Sequence, residues 1–179
     1  MQEKNLLFNG VLLKELVSNK DSRGMFTELH RDVWYPNNND TPVQWNLVTS
    51  RANVLRGVHT HVKHTDYLSC VQGEMVVYLC DLRKKSPHFK SVIGITLSSD
   101  QVSVLVIPPL VAHAFYFKEV SIHFYAVSQY WNLDDELGCI YNDPDLNLVL
   151  PVDNPILSER DKQASSLHEL LQAIEPYQL

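Results

Sequence analysis

One feature constrains this chain more than any other. Short apolar, β-branched runs recur along it, each stopped by turn residues. Met75 to Asp81, Val92 to Leu97, Val102 to Ile107, Ala114 to Phe117 and Ile122 to Tyr130 are the clearest. Gln72-Gly73, Arg83 to Pro87, Ser98 to Asp100 and Pro108-Pro109 punctuate them. No helical pattern is interleaved between the runs. The pattern is that of an all-β sandwich or barrel. In the run from Ser121, strand alternation sets Ile122, Phe124 and Ala126 on one face and His123, Tyr125 and Val127 on the other. Both faces carry bulky residues, so the run alone does not say which points inward.

The C-terminal segment differs. Ser166-Leu167-His168-Glu169 has the form of a capping box ahead of Leu170, Leu171 and Ile174, which predicts a short helix over 166–174. Asn37 to Asp40, within the polar stretch from Pro36 to Pro42, reads as a loop. At 179 residues, 45% of them hydrophobic, the chain is expected to form one domain, 1–179, with a substantial core.

Composition narrows the partners. The formal charge of −6 disfavours non-specific binding to nucleic acid, whose phosphates reward basic faces. A small anion needs only a few local cations and stays open. No apolar run has the length of a membrane span, and Met1 to Phe8, carrying Glu3 and Lys4, lacks a signal-peptide apolar core. Cys70, Cys80 and Cys139 are odd in number and form no CxxC, so buried reduced thiols in a cytoplasmic protein are expected.

Eight histidines are many for this length. His59, His61 and His64 cluster, and His113 follows Pro108-Pro109. Alternation sets His59 and His61 on one strand face, where His113 from a facing strand would converge with them. Two chemistries fit. One is a metal site of His59, His61, Asp66 and His113, since imidazole plus carboxylate suits iron, manganese, nickel or zinc. The other is proton transfer by a histidine that a carboxylate orients. His64, His88, His123 and His168 read as ordinary surface or hydrogen-bonded core histidines.

Longer phrases discriminate further. Asp21-Ser22-Arg23-Gly24-Met25-Phe26-Thr27-Glu28 comes first, then Gln44-Trp45-Asn46 and Val54-Leu55-Arg56-Gly57-Val58-His59. Val71-Gln72-Gly73-Glu74 and Asp81-Leu82-Arg83 follow. Ile107-Pro108-Pro109 with Ala112-His113-Ala114-Phe115, Asn142-Asp143-Pro144-Asp145-Leu146 and Leu157-Ser158-Glu159-Arg160-Asp161 complete the order. In this order and spacing, from about residue 8 to 172, the chain resembles the dTDP-4-dehydrorhamnose 3,5-epimerase family. The resemblance implies a cupin-type jelly-roll β-barrel with a short C-terminal helix, and a homodimer.

It also implies a reaction. A nucleoside-diphosphate 4-keto-6-deoxy sugar loses a proton beside its ketone, an enolate forms, and reprotonation from the other face inverts C3, C5 or both. The ketone itself acidifies the C–H, so no cofactor is called for; a base, an acid and enolate stabilisation are. By resemblance His59 matches the base, Asp161 its carboxylate partner, and Tyr125 the acid. Arg23 and Arg56 match positions that bind the diphosphate and sugar, as guanidinium forks suit phosphate. Phe26 and Glu28 match nucleoside positions, often supplied across the dimer interface. Gln44, Asn46 and His113 match cavity positions, and Trp131 and Tyr141 stand where the family has aromatics.

Three departures from the family pattern stand out. The family lysine before the Cys-Val-x-Gly-Glu phrase aligns with Asp66, in a segment a few residues shorter than usual, and Lys63 is the nearby substitute. Thr60-His61 replaces an aromatic-Gln pair, and Ala114 replaces a glycine. A carboxylate beside an enolate is repulsive. Two further readings therefore remain: a metal-dependent cupin enzyme using His59, His61, Asp66 and His113, and a non-catalytic cupin that binds sugar nucleotides.

Overall fold

The computed structural model describes residues 3–5, 8–35 and 41–178. The expected loop at Asn37 to Asp40 lies outside these residues. The described chain is built on antiparallel strands. A six-stranded sheet has the order β1-β2-β10-β7-β12-β5, and a five-stranded sheet the order β13-β6-β11-β8-β9. The first sheet comprises β1 (Glu3–Asn5), β2 (Leu12–Glu15), β5 (Gln44–Ser50), β7 (Asp66–Gln72), β10 (Ser103–Ile107) and β12 (Ser121–Val127). The second comprises β6 (Val54–Thr60), β8 (Glu74–Asp81), β9 (Val92–Ser98), β11 (Val111–Phe117) and β13 (Leu137–Gly138). A separate hairpin of β3 (Ser18–Asp21) and β4 (Gly24–Thr27) turns at Asp21 to Gly24. From β5 to β8 and again from β9 to β13 successive strands alternate between the two large sheets, which is the expected jelly-roll architecture.

Alternation explains why the sheets face each other. Met75, Val77 and Leu79 of β8 point inward and pack with Leu68 of β7, Leu105 and Ile107 of β10 and Phe117 of β11. Burying one such side chain contributes about 1.5–3 kcal/mol. The opposite face of β11, with Ala112, Ala114 and Tyr116, packs beneath Leu167, Leu170 and Ile174 of the C-terminal segment. The outer face of the six-stranded sheet is covered by Leu16, Leu29, Trp34 and Tyr35 over Tyr67, Val104, Val106 and Ala126. Strands β10 and β11 are thus buried on both faces and read as near-continuous apolar runs.

The expected C-terminal helix is α2 (Leu167–Ala173), and both capping-box bonds at Ser166 and Glu169 are formed. A shorter helix, α1 (Glu159–Lys162), precedes it with Ser158 as N-cap. Two strand boundaries differ by three residues, the others by one at most. The run expected to reach Tyr130 ends as a strand at Val127, with one further bond in the same register from the Ser128 N–H to the Thr65 carbonyl. The run expected from Ala114 begins at Val111, because inward-facing His113 interrupts its apolar pattern.

Candidate active site

One end of the space between the sheets is filled by apolar side chains, and the other is open. The open end is a cavity of about 420 Å³. Its walls are Arg56, His59, His113 and Phe115 from the five-stranded sheet, and Gln44, Asn46, Leu68 and Tyr125 from the six-stranded one. His123, Tyr125 and Val127 all line it, which settles the inward face of β12.

A local irregularity in β6 assembles the wall. His113 pairs with His59, but Phe115 pairs with Arg56, so β6 carries one extra residue between the two pairs. Such a bulge reverses the alternation. Arg56 and His59, three apart, therefore share the cavity face, whereas a regular strand would separate them. Gly57 makes this possible: its φ is +108°, and an added Cβ would lie 2.6 Å from the His113 carbonyl oxygen.

His59 Nε2 lies 2.7 Å from Asp161 Oδ1, although 102 residues separate them. Asp161 sits on α1, whose first turn is fixed by the Ser158 hydroxyl accepting from the Asp161 N–H at 3.1 Å. Burial alone would raise the Asp161 carboxyl. Hydrogen bonding and charge from His59, with bonds from Ser158 and the Gly57 N–H, outweigh it and hold the carboxyl below its ordinary range. Asp161 is thus ionised at neutral pH. His59 donates from Nε2 and keeps Nδ1 as its free basic nitrogen.

Tyr125 stands on the opposite sheet. Burial, with Asp66 and Glu136 adding to it against the charge of Arg56, pushes its phenol above the ordinary value. The cavity therefore has a carboxylate-paired imidazole on one wall and a protonated phenol on the other. Arg56 Nε donates to Ser50 Oγ at 3.0 Å. Gln44 donates to Asn46 Oδ1 at 3.0 Å and accepts from the Trp131 N–H at 2.8 Å, which ties Trp131 to the rim.

A second group of titratable residues lies beside this pair. The rings of His61 and His64 stack at 3.9 Å, and that of His113 is 5.3 Å from His61. His61 Nδ1 donates to the Asp135 carbonyl and His64 Nδ1 to Asp135 Oδ2, each at 3.0 Å. Buried Asp66 faces both rings, 3.9 Å from His61 Nε2 and 3.8 Å from His64 Nε2. Burial raises the Asp66 carboxyl to about 7, with Glu136 and Asp135 adding to the rise against His64. Burial also pushes down His61 and His64 and, more strongly, His113, and mutual repulsion among the imidazoles adds to this.

Several expected site residues are not brought here. Lys63 is exposed and absent from the cavity wall, so it does not take the place of the missing lysine. Its neighbours His61, His64 and Asp66 are the residues that turn inward. Tyr141 packs against the apolar cluster beneath α2 and donates to the Asp153 carbonyl at 3.3 Å, so it does not line the cavity. Arg23, Phe26 and Glu28 belong to or follow the β3–β4 hairpin, exposed and outside the cavity of their own chain. Arg23 pairs there with Asp21, and Glu28 with Arg31. In the four-residue metal set, His61, Asp66 and His113 converge, but His59 is engaged by Asp161 instead. Of the histidines read as surface or hydrogen-bonded core, His64 and His123 are buried, His64 bonded to Asp135, and both line the cavity.

Other lining residues carried no sequence signal of their own. Glu136, just after a short 3-10 turn over Leu133–Asp135, lines the cavity, and Arg160 donates to its Oε2 at 2.7 Å.

Comparison with known proteins decides the lineage. The family model described as dTDP-4-dehydrorhamnose 3,5-epimerase matches residues 5–169. The chain belongs to that family. A dTDP-4-dehydrorhamnose 3,5-epimerase of Pseudomonas aeruginosa is 30% identical over 173 residues, covering 93% of this chain and 96% of the relative. One of Neisseria gonorrhoeae is 35% identical over 147 residues, covering 79% of this chain, which spans 45% of that relative's length. The crystal structure of a Legionella pneumophila dTDP-6-deoxy-D-glucose-3,5-epimerase, in complex with dTDP-4-keto-L-rhamnose, superposes with a TM-score of 0.87. It is 28% identical and is covered to 96%, against 94% of this chain. The jelly-roll fold is therefore that of a 3,5-epimerase family member.

Proposed function

We propose that this protein epimerises a nucleoside-diphosphate 4-keto-6-deoxy sugar at C3, C5 or both. The observation that carries the reading is the His59–Asp161 pair facing Tyr125 across the cavity. An epimerase needs a base and an acid on opposite sides of one carbon, and these two groups rise from opposite sheets. His59 Nδ1 takes the proton beside the ketone, and Asp161 fixes the tautomer and stabilises the imidazolium. The electron pair of the C–H bond moves into the enolate. Tyr125 then delivers a proton to the other face, and solvent restores the phenol while His59 releases its proton.

Arg56 at the cavity wall suits the diphosphate. Arg23, Phe26 and Glu28 are exposed on a hairpin that projects from its own chain, which supports a homodimer in which each hairpin completes the partner's nucleotide site. The chain acts as one domain. Among the described residues no helix is long and apolar enough to cross a membrane, and the free buried cysteines support a cytoplasmic setting. The test is incubation with dTDP-4-keto-6-deoxyglucose and proton NMR of the product. Inversion at C3 or C5 is expected, and unchanged configuration at both carbons over many enzyme equivalents refutes the reading.

A further inference from the structure

We infer that His61, Asp66 and His113 form a divalent-cation site at the inner end of the cavity, beside the His59–Asp161 pair. The ligand atoms offered by these three buried residues lie within 4.8 Å of one another. Each imidazole is already oriented as a metal ligand is. His61 Nδ1 is committed to the Asp135 carbonyl at 3.0 Å, and His113 Nδ1 to the Val111 carbonyl at 3.4 Å. Both therefore present Nε2 as a bare lone pair. Outward Nδ1–H bonds to carbonyls or carboxylates are how proteins fix ligating histidines.

A second observation points the same way. His64 is 3% exposed, and its Nε2 has no hydrogen-bond partner. That nitrogen is aimed at Asp66 Oδ1 from 3.8 Å, while His61 Nε2 faces Asp66 Oδ2 from 3.9 Å. Metal–nitrogen and metal–oxygen bonds of about 2.1 Å bring tetrahedral ligand atoms to about 3.4 Å of each other. The His61–Asp66 pair is wider than that by about half an ångström, and the whole set, within 4.8 Å, closes by at most about 1.4 Å to reach it; an ion bound there would also face the His64 Nε2 that lacks a partner. In the alternative grouping of His61, His64 and Asp135 the carboxylate is already engaged, Oδ2 by His64 Nδ1 and Oδ1 by the Val62 N–H. Two imidazoles and a carboxylate suit zinc, iron(II), manganese or cobalt(II).

The consequence for chemistry rests on the epimerase reading. The lining residues Asp66, Glu136 and Asp161 are acids, whereas the lining cations are Arg56 and Arg160, and Arg160 is paired with Glu136. A developing enolate beside Asp66 needs positive charge. A cation held by Asp66 supplies it and cancels the carboxylate's repulsion.

The test reads binding itself. Protein stripped with EDTA and freed of chelator is titrated with CoCl2 while visible absorption is followed. Saturation at one Co2+ per chain is expected, with displacement by Zn2+. Asp66→Asn and His113→Gln should each weaken binding at least about tenfold, whereas His59→Asn should bind as the parent does. Thermal melts of every variant confirm folding. Absence of saturable binding, or unchanged affinity in both Asp66→Asn and His113→Gln, overturns the site. Either result leaves the epimerase reading standing, since that reading is judged on product configuration.

Discussion

Replacing Asp161 with Asn keeps the shape of the side chain and removes its charge. In the parent the carboxylate lies 2.7 Å from His59 Nε2 and its side chain is 6% exposed, so the bond is charge-assisted and little screened. Bonds of that type are worth about 1.5–3 kcal/mol. The strengthening occurs as His59 becomes an imidazolium, so the loss falls on the barrier rather than on substrate affinity. The expected result is a fall in kcat of roughly 10- to 150-fold with KM little changed. A stability readout separates this from misfolding. The Asp161 carboxyl is held below its ordinary value, so its contribution is full above the unfolded value of 3.8 and is lost as pH falls through the folded one. Urea denaturation at pH 7 should show Asp161→Asn less stable, with the gap closing only in strong acid. An Asp161→Asn protein that folds and keeps kcat within twofold of the parent refutes the orienting role.

Other outcomes follow from the same geometry. Gly57→Ala should lose more than about 2 kcal/mol in denaturant melts, through strain at a positive φ and a clash with the His113 carbonyl; a neutral substitution would show that the bulge is not required. In chelator-treated protein, the raised Asp66 carboxyl keeps a proton that the unfolded chain has shed. Stability should therefore fall as pH rises from about 4 to about 7, and Asp66→Asn should flatten that fall, by at most about 4 kcal/mol. Parallel curves for the two proteins would contradict the raised value. Lys63→Ala should leave kcat and KM unchanged, since Lys63 is exposed and off the cavity wall; a tenfold loss would return that lysine to the site.

Much of the fold was legible because alternation and turn residues are local signals. Met75, Val77 and Leu79 announce an inward face, and Ser166 with Glu169 announces a helix start. The site was less legible because its pairs are distant in sequence. His59 and Asp161 are joined only by the fold, and nothing in their local pattern links them; the family phrases did. Arg56 and His59 share a face only through the bulge at Gly57 and Val58, which period-two reasoning misses. Lys63 was the nearby substitute for the family lysine and Tyr141 stood at a family aromatic position, but the first is turned outward and apolar packing took the second. His64 and Asp135 were individually ordinary, and only their proximity to His61 makes them part of a cluster.

The most direct test of opposed acid and base is solvent deuterium incorporation in two variants. His59→Asn and Tyr125→Phe are incubated with dTDP-4-keto-6-deoxyglucose in D2O, and C3 and C5 are followed by NMR. His59→Asn should incorporate no deuterium above background at either carbon. Tyr125→Phe should still exchange at one carbon or both while accumulating little inverted product. Deuterium uptake at the parent rate in His59→Asn, or full inversion by Tyr125→Phe, would contradict the assignment of base and acid to the two walls.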